Sequence, residues 1–314
     1  MLAHAGEAET GQHGSILAHR SRYGRAGSGY VSAMTFSIVA RSDDGESWGV
    51  AVASKFLAVG SAVPAAAAGV GAIATQADAN IAYKYLALAH LDEGATAQVA
   101  LDRLLEEDGN REHRQVGVVD SDGNAATWTG SECFAWAGGT TGRSGERGGY
   151  AIQGNILTGP EVVEAVERAW LASADHPLER RLLEALAAGD DAGGEDRGRQ
   201  SAALLVVRDG AGYGGHDDVA VDLRVDDHTD PVTELARLVD LNELYLTAST
   251  PEEQVPVDDA LMIELEALAK ADGKDSFHMW VGSQNHEMRV GPGARPEWID
   301  RRILAIIRGE EDAV

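Results

Sequence analysis

The sequence contains a single cysteine, Cys133, which excludes an intrachain disulfide framework and fits a reducing compartment. It has no run of about 18 apolar residues, so no membrane-spanning helix is expected. The most apolar stretch, residues 62–77, is broken by Pro64, Gly69 and Gly71. The first 33 residues lack the apolar segment of a secretory signal. We therefore expect a cytoplasmic protein.

Positive charge is also scarce. Lys and Arg total 26 against 51 Asp and Glu, a formal net charge of −25, and only four of the basic residues are lysines. Acid-rich, lysine-poor surfaces stay soluble in high salt, where the repulsion between like charges is screened. The composition is typical of a cytosolic protein from a halophile. The same charge argues against nucleic acids and anionic membranes as partners.

The pattern of apolar residues predicts strands that arrive largely as antiparallel pairs and helices that arrive in pairs. The predicted strands are residues 35–41, 48–54, 70–76, 115–120, 125–130, 150–156, 201–207 and 219–225. The predicted helices are residues 80–91, 96–105, 160–173, 177–187 and 231–246. The glycine-rich stretches 138–149 and 189–199 are predicted loops. Two antiparallel sheets covered by helix pairs would form a four-layer αββα sandwich, an α+β fold.

The chain is predicted to divide into three parts. Residues 1–33 show no sustained period and are either a disordered leader or the product of a start placed too early. Residues 34–248 form the main domain. Residues 248–256, rich in turn-forming and charged residues, predict a linker to a small helical module at 249–314.

Thr35 opens the first predicted strand and directly follows Met34. If the mature chain began at Thr35, this one residue would carry a hydroxyl and a free α-amino group. The amine, with a pKa near ~8, could take the hydroxyl proton at neutral pH without a separate histidine. The alternative is that Thr35 simply opens a strand, since β-branched residues favour strands.

Several segments together resemble a known family. They are Thr35–Leu57, Arg114–Asp120, Gln153–Asn155, residues 198–202 and Leu223–His228. In this order they are similar to the family called domain of unknown function 1028, over about residues 34–240. That family is grouped with the N-terminal-nucleophile hydrolases, so the resemblance implies the αββα sandwich and amide hydrolysis by an N-terminal residue.

The C-terminal module, at about residues 251–308, resembles a peptidoglycan-binding extension. The residues that carry this resemblance are Trp280–Gly282, Asn285, Glu287, Arg289, Ile299 and Asp300. A cytoplasmic chain would not meet a cell wall. We therefore expect the module to pack against the main domain or a second subunit, which leaves a homo-oligomer open, with Trp280 and Trp298 in a small core.

An amidase needs a nucleophile, a proton shuttle and donors for the developing oxyanion. Lys55, at the end of the strand paired with Thr35, would lower the pKa of the threonine hydroxyl and amine; the alternative is a strand-end cation whose stem covers apolar surface. Asn155 offers an oxyanion donor, or else caps a turn. Further candidates, for substrate binding, are Ser54, Thr75, Gln76 and Gln153.

The leading hypothesis is an amidohydrolase that acts on a small amide or peptide-like substrate through an acyl-Thr35 intermediate, with no metal or organic cofactor. The alternative is a non-catalytic binding protein built on the same fold. A third hypothesis is a metal-dependent hydrolase that uses two polar clusters, His216–Asp218 and Asp226–His228. These clusters lie at opposite ends of one predicted strand, about 25 Å apart if it is extended.

Overall fold

The computed structural model describes residues 35–311, which form a mixed α/β structure with several antiparallel sheets. The strands are β1 (Thr35–Arg41), β2 (Ser47–Ser54), β3 (Pro64–Ala67), β4 (Gly71–Ala77), β5 (Arg114–Asp120), β6 (Ala125–Thr129), β7 (Ala137–Ser144), β8 (Gly148–Asn155), β9 (Ser201–Arg208), β10 (Val219–Val225), β11 (Gln254–Pro256) and β12 (Trp298–Asp300). The α-helices are α1 (Val59–Ala62), α2 (Ala82–Asp92), α3 (Ala97–Glu106), α4 (Glu161–Ala172), α5 (Leu178–Asp191), α6 (Pro231–Leu246), α7 (Asp259–Ala271), α8 (Phe277–Gln284) and α9 (Arg301–Arg308). The predictions about the leader and Met34 lie outside the described residues.

Two sheets carry the main part of the fold. The larger has the strand order β10-β9-β2-β1-β8-β7, and the smaller has the order β3-β4-β5-β6. Every pairing is antiparallel. β1 lies inside the larger sheet, where Thr35 pairs with Ser54 of β2 on one side and with Asn155 of β8 on the other. The predicted hairpin of residues 35–41 and 48–54 is confirmed.

The side chains of β1 divide between two cores, because successive residues of a strand point to opposite faces. Phe36, Ile38 and Ala40 pack in a cluster with residues of α4, α5 and α6. Val39 points the other way, into a cluster shared with β2, β4 and β5. A third cluster joins the opposite face of β4 and β5 to α2 and α3. The larger sheet therefore has helices on one face and the smaller sheet on the other.

The predicted loop at residues 138–149 is wrong. This stretch contains β7, which forms the edge of the larger sheet, and the first residues of β8. Its glycines leave room for side chains of the neighbouring strand. A Cβ on Gly142 would lie 2.2 Å from the hydroxyl of Tyr150, the residue that pairs with Gly142 in β8. The apolar pattern also gave no sign of β3, and the predicted linker at 248–256 contains β11, which pairs with β12.

The C-terminal helices α7, α8 and α9 surround a separate apolar cluster. Leu244 of α6 belongs to this cluster, and Arg289 donates a hydrogen bond of 2.6 Å to the Glu243 carbonyl. The module thus packs on the last helix before it. Trp280 is buried in the cluster, whereas Trp298 is half-buried. Across residues 35–311, no helix combines the length and the apolar character that crossing a membrane requires.

Arg181 fastens α5 to the turn after β1. Its side chain is only 2 % exposed. Nε donates to the Trp170 carbonyl at 2.8 Å, Nη1 contacts Asp43 Oδ1 at 3.0 Å, and the guanidinium lies 3.6 Å from the centroid of the Trp170 ring. A buried cation of this kind is tolerated because it is paired and hydrogen-bonded.

Replacing Arg181 with Met should lower the free energy of unfolding by about 2–4 kcal/mol, because the Trp170 carbonyl loses this donor and Asp43, in the described part of the chain, retains only Ser144 in place of its cationic partner. Urea unfolding followed by circular dichroism measures the change. The matched control is Arg168→Met, which removes an exposed pair with Glu164 and should cost about 0.5 kcal/mol or less. Equal effects of the two substitutions would contradict this account of Arg181.

His286 lies inside the C-terminal cluster, between the rings of Tyr245 and Trp280 at centroid distances of 5.6 and 5.4 Å. Burial lowers the pKa of His286 from 6.5 to about 4, with smaller effects from Glu287, Arg289 and Asp300. The unfolded chain therefore binds a proton at a higher pH than the folded chain does. The stability linked to His286 is complete above pH 6.5 and is lost as the pH falls towards 4.

Between pH 7 and pH 5, His286 should account for a loss of about 2 kcal/mol in the free energy of unfolding. The variant His286→Phe retains the aromatic contacts without a titrating ring, so its loss over this interval should be smaller by about that amount. Urea titrations of both proteins at the two pH values test this. Parallel pH curves would show that His286 is not the responsible group.

Candidate functional site

Polar side chains replace the apolar core between the two larger sheets at one end of β1. All are at most 1 % exposed. They are Thr35 and Ser37 from β1, Gln76 from β4, Gln115 from β5, and Gln153 and Asn155 from β8. The period of two in a strand puts Thr35 and Ser37 on the same face as Val39, which faces the smaller sheet. We call this set of six residues the polar layer.

Gln115 is the centre of the polar layer. Its Oε1 accepts hydrogen bonds from Gln76 Nε2 at 2.8 Å and from Asn155 Nδ2 at 2.9 Å. Its Nε2 donates to the Gly154 carbonyl at 2.7 Å and to Thr129 Oγ1 at 2.9 Å. The Gln115 side chain thus links its own strand, β5, to β4 and β6 in the smaller sheet and to β8 in the larger sheet. Sequence reasoning missed Gln115, although a polar amide at the start of an otherwise apolar strand was a visible signal.

A second chain of hydrogen bonds crosses the layer through Ser37. Gln153 Nε2 donates to Ser37 Oγ, and Ser37 Oγ donates to Gln76 Oε1, both at 2.6 Å. The sheets approach closely here: a Cβ on Gly117 would lie 2.1 Å from Gln153 Oε1. Glycine at this position leaves the space that the Gln153 amide fills.

Thr35 lies at the edge of this layer. Its Oγ1 is 3.1 Å from Ser54 Oγ. Its carbonyl accepts from Gln76 Nε2 at 3.1 Å and, more weakly, from Asn155 Nδ2 at 3.4 Å. The structure therefore brings Thr35 together with three of the predicted site residues, Ser54, Gln76 and Asn155, and Gln153 belongs to the same network.

Lys55 and Thr75 are placed differently from the prediction. Lys55 is exposed, and its Nζ donates to the Arg199 carbonyl at 3.0 Å; within residues 35–311 no hydrogen bond joins it to Thr35. Thr75 lies on the opposite face of β4 from Gln76, because the two are neighbours in a strand. Its Oγ1 is 3.4 Å from the Asn80 carbonyl, on the side of the helices.

Glu195 lies at the same end of the larger sheet, in the segment after α5 at residues 192–200, which we call the edge loop. It is 7 % exposed and accepts a hydrogen bond from the Lys55 backbone N–H. Burial raises the pKa of Glu195 to about 7, against the lowering effects of the Lys55 N–H and of Arg197, whose Nε is 3.1 Å from Oε1. Sequence reasoning missed this residue, because in so acidic a chain one more carboxylate carries no signal.

The backbone next to Asn155 is strained. Ile156 has a φ of +50°, in the left-handed region that β-branched residues rarely adopt. The conformation is held from both sides, since Ile156 N donates to the Phe134 carbonyl at 3.1 Å and its own carbonyl accepts from Asp196 N at 3.3 Å. Such strain persists only where neighbouring structure enforces it, and it is concentrated at functional sites.

A cavity of about 650 Å³ lies at the other end of the larger sheet, lined in part by Ser47, His176 and Arg208. Two of its polar residues already have partners, Asp43 with Arg181 and His176 with Glu184. Because the amide and hydroxyl groups that could act on a substrate converge at the polar layer, we place the candidate site there rather than in this cavity.

The His and Asp clusters of the third hypothesis do not form a metal-ligand group. Within residues 35–311, no three His, Cys, Asp or Glu side chains are arranged to hold a metal ion. Instead, His228 Nδ1 lies 2.9 Å from the Asp230 carbonyl, and Asp217 Oδ1 accepts from Val219 N at 3.2 Å.

Comparison with known proteins identifies relatives of the segment that contains the polar layer. The model of the Family of unknown function (DUF1028) matches residues 35–235. A crystal structure of a DUF1028 protein from Silicibacter pomeroyi is similar, with 32 % sequence identity and a TM-score of 0.59. The similarity covers 67 % of this chain and 89 % of that chain. No curated protein matches the chain.

Replacing Gln115 with Leu should lower the free energy of unfolding by about 2–4 kcal/mol, because the buried groups that it bonds lose their partners. The control is Gln98→Leu on the exposed face of α3, where Nε2 bonds only Asp102 among the residues described; its effect should stay within about 0.5 kcal/mol. Chemical unfolding of the two variants makes the comparison. A neutral Gln115→Leu substitution would mean that the layer does not stabilise this end of the fold.

Proposed function

The chain belongs to the DUF1028 family, whose function is unknown, and from its polar layer we propose that it is an amidohydrolase with Thr35 as an N-terminal nucleophile. One observation carries the proposal: the first residue of an inner strand has its hydroxyl 3.1 Å from the Ser54 hydroxyl, while its carbonyl accepts hydrogen bonds from the amides of Gln76 and Asn155. A free α-amino group on Thr35 would complete a nucleophile and base within one residue.

The chemistry begins with proton transfer from Thr35 Oγ1 to its own amine as the oxygen attacks the carbonyl carbon of an amide. The carbonyl oxygen becomes an oxyanion in the tetrahedral intermediate. Collapse breaks the C–N bond, and the ammonium of Thr35 returns the proton to the leaving amine. The acyl-Thr35 ester is then hydrolysed by a water molecule that gives its proton to the same amine, which releases the acid and restores the hydroxyl.

Asn155 is the best-placed donor for the oxyanion. Its Nδ2 makes one short bond, to Gln115 at 2.9 Å, and one long contact, to the Thr35 carbonyl at 3.4 Å. The Nδ2 hydrogen that now points to the Thr35 carbonyl would turn to the oxyanion, which is a stronger acceptor. Positioned amide donors of this type contribute about 3–4 kcal/mol to the stabilisation of an oxyanion. Ser54 is placed to relay a proton to or from Thr35 Oγ1.

The proposal includes the four-layer sandwich of the N-terminal-nucleophile hydrolases. It is supported by two antiparallel sheets that share an apolar core, with α4–α6 on the outer side of one and α2–α3 on the outer side of the other. The substrate is a small amide or a peptide-like molecule, because the nucleophile is 1 % exposed. The catalytic form is the chain that begins at Thr35.

The burial of Thr35 favours one alternative, a non-catalytic binding protein in which the polar layer is structural.

Peptidoglycan binding by the C-terminal module stays a prediction. Three residues that carry that resemblance, Trp280, Arg289 and Asp300, are buried, and Arg289 bonds Asp300 at 2.9 Å. They build the module itself, so a glycan would have to be bound by other residues.

The proposal predicts that protein purified from its own cells begins at Thr35, which intact mass measures directly. Two assays follow on that material: turnover of a panel of simple amides, and acylation of Thr35 by a β-lactone, whose ring opens on an activated hydroxyl. Thr35→Ala should lose both, with turnover reduced at least about a thousandfold. Thr35→Ser should retain both.

The control is Thr141→Ala on the exposed edge strand β7, which should leave acylation and turnover unchanged. Full turnover by Thr35→Ala, or mature protein that retains residues 1–34, would refute the hydrolase and leave the binding protein.

A further inference from the structure

The edge loop is attached to the ends of the two strands that flank β1. At one side it is attached to the end of β8, where Asp196 N donates to the Ile156 carbonyl at 3.3 Å and Glu195 forms a β-bridge with Leu157. At the other side it is attached to the end of β2, where Gln200 N donates to the Ser54 carbonyl at 3.2 Å. β1 lies between β8 and β2, so the loop spans about 10 Å across its first residue.

The register of β1 and β2 places the Glu195 carboxylate within this span. The Ser54 carbonyl points away from β1, to Gln200 of the edge loop. Since a trans peptide directs its N–H opposite to its C=O, the Lys55 N–H points towards β1. In a continued antiparallel ladder this N–H would face the acceptor of the residue before Thr35. Glu195 Oε2 accepts this N–H, so its carboxylate lies on the β1 side of β2, next to the pair that Ser54 forms with Thr35.

From this geometry we propose that Glu195 is a positioning residue, whose carboxylate binds the α-amino group of mature Thr35 and holds it next to Oγ1. The inference rests on the proposed function, because it requires the terminus that the hydrolase uses. An amine on a chain terminus is free to rotate, and a buried acceptor fixes it against the hydroxyl that it must deprotonate.

The charges around Glu195 allow an ammonium ion there. From its own loop it faces Arg197, and from the end of β2 it faces Lys55, whose ammonium group is directed to the Arg199 carbonyl. Arg199 is itself paired with Asp190 at 2.8 Å. Because burial raises the pKa of Glu195 to about 7, the carboxyl group and the amine titrate within the same pH range and can share a proton.

The test uses protein produced from its native gene in its own cells, with the terminus first established by intact mass. The pKa of the Thr35 amine is then read from the pH dependence of its acylation by acetic anhydride, quantified by peptide mass. In wild-type protein this pKa should exceed the usual value of ~8. Glu195→Gln removes the negative charge and should lower it by about one unit, and the acidic limb of turnover should move to lower pH with it.

Glu195→Asp retains the charge and should give an amine pKa close to that of the wild type. The matched control is Glu106→Gln at the exposed end of α3, which should change nothing. If Glu195→Gln does not fold, the wild-type value decides alone: an amine pKa at or below ~8 overturns the proposal.

The outcomes separate the two proposals. A Thr35 terminus that is acylated by the β-lactone but whose amine pKa is the same in Glu195→Gln overturns the role of Glu195 and leaves the hydrolase intact. A mature chain that still contains residues 1–34 overturns both. A shifted amine pKa in a protein that hydrolyses no amide supports the Glu195 contact and counts against the hydrolase.

Discussion

The structure depends on hydrogen bonds among buried amide side chains between two sheets, in which Asn155 Oδ1 is the one amide oxygen of the polar layer left without a partner among residues 35–311. An amide side chain in an apolar core is costly unless its oxygen and its nitrogen both find partners. Gln115 meets that condition by bonding Gln76 and Asn155 through its oxygen and Gly154 through its nitrogen. Each of these bonds fixes the position of a residue in another strand. Asn155 lies beside Thr35 because β8 pairs with β1, and Gln115 from the other sheet then fixes the position of the Asn155 amide.

Much of this end of the molecule was predictable from the sequence. The hairpin that opens at Thr35 follows from alternating apolar residues on either side of a short polar turn, and its register brings Ser54 opposite Thr35. The prediction failed where side-chain direction mattered. Thr75 and Gln76 are adjacent, so only one of them can face the polar layer, and the sequence alone does not say which face of β4 is which.

Other parts of the site depend on contacts between residues far apart in the chain. Lys55 was expected near Thr35 because both lie at the same end of a hairpin, but its ammonium group bonds the carbonyl of Arg199, 144 residues further on. Glu195 was hidden among 51 acidic residues; within residues 35–311 it is one of four buried acids, and burial raises its pKa to about 7. The prediction of a loop at residues 138–149, where the structure has β7, failed for a related reason. The space above Gly142 is filled by Tyr150, a residue of the neighbouring strand.

The close approach of Gly117 to Gln153 leaves no room for a further carbon atom between the two sheets at this point. A methyl group at position 117 would displace the Gln153 amide, which donates a hydrogen bond to Ser37. Because Ser37 in turn donates to Gln76, one added methyl group would disturb a chain of hydrogen bonds that runs from the larger sheet to the smaller one.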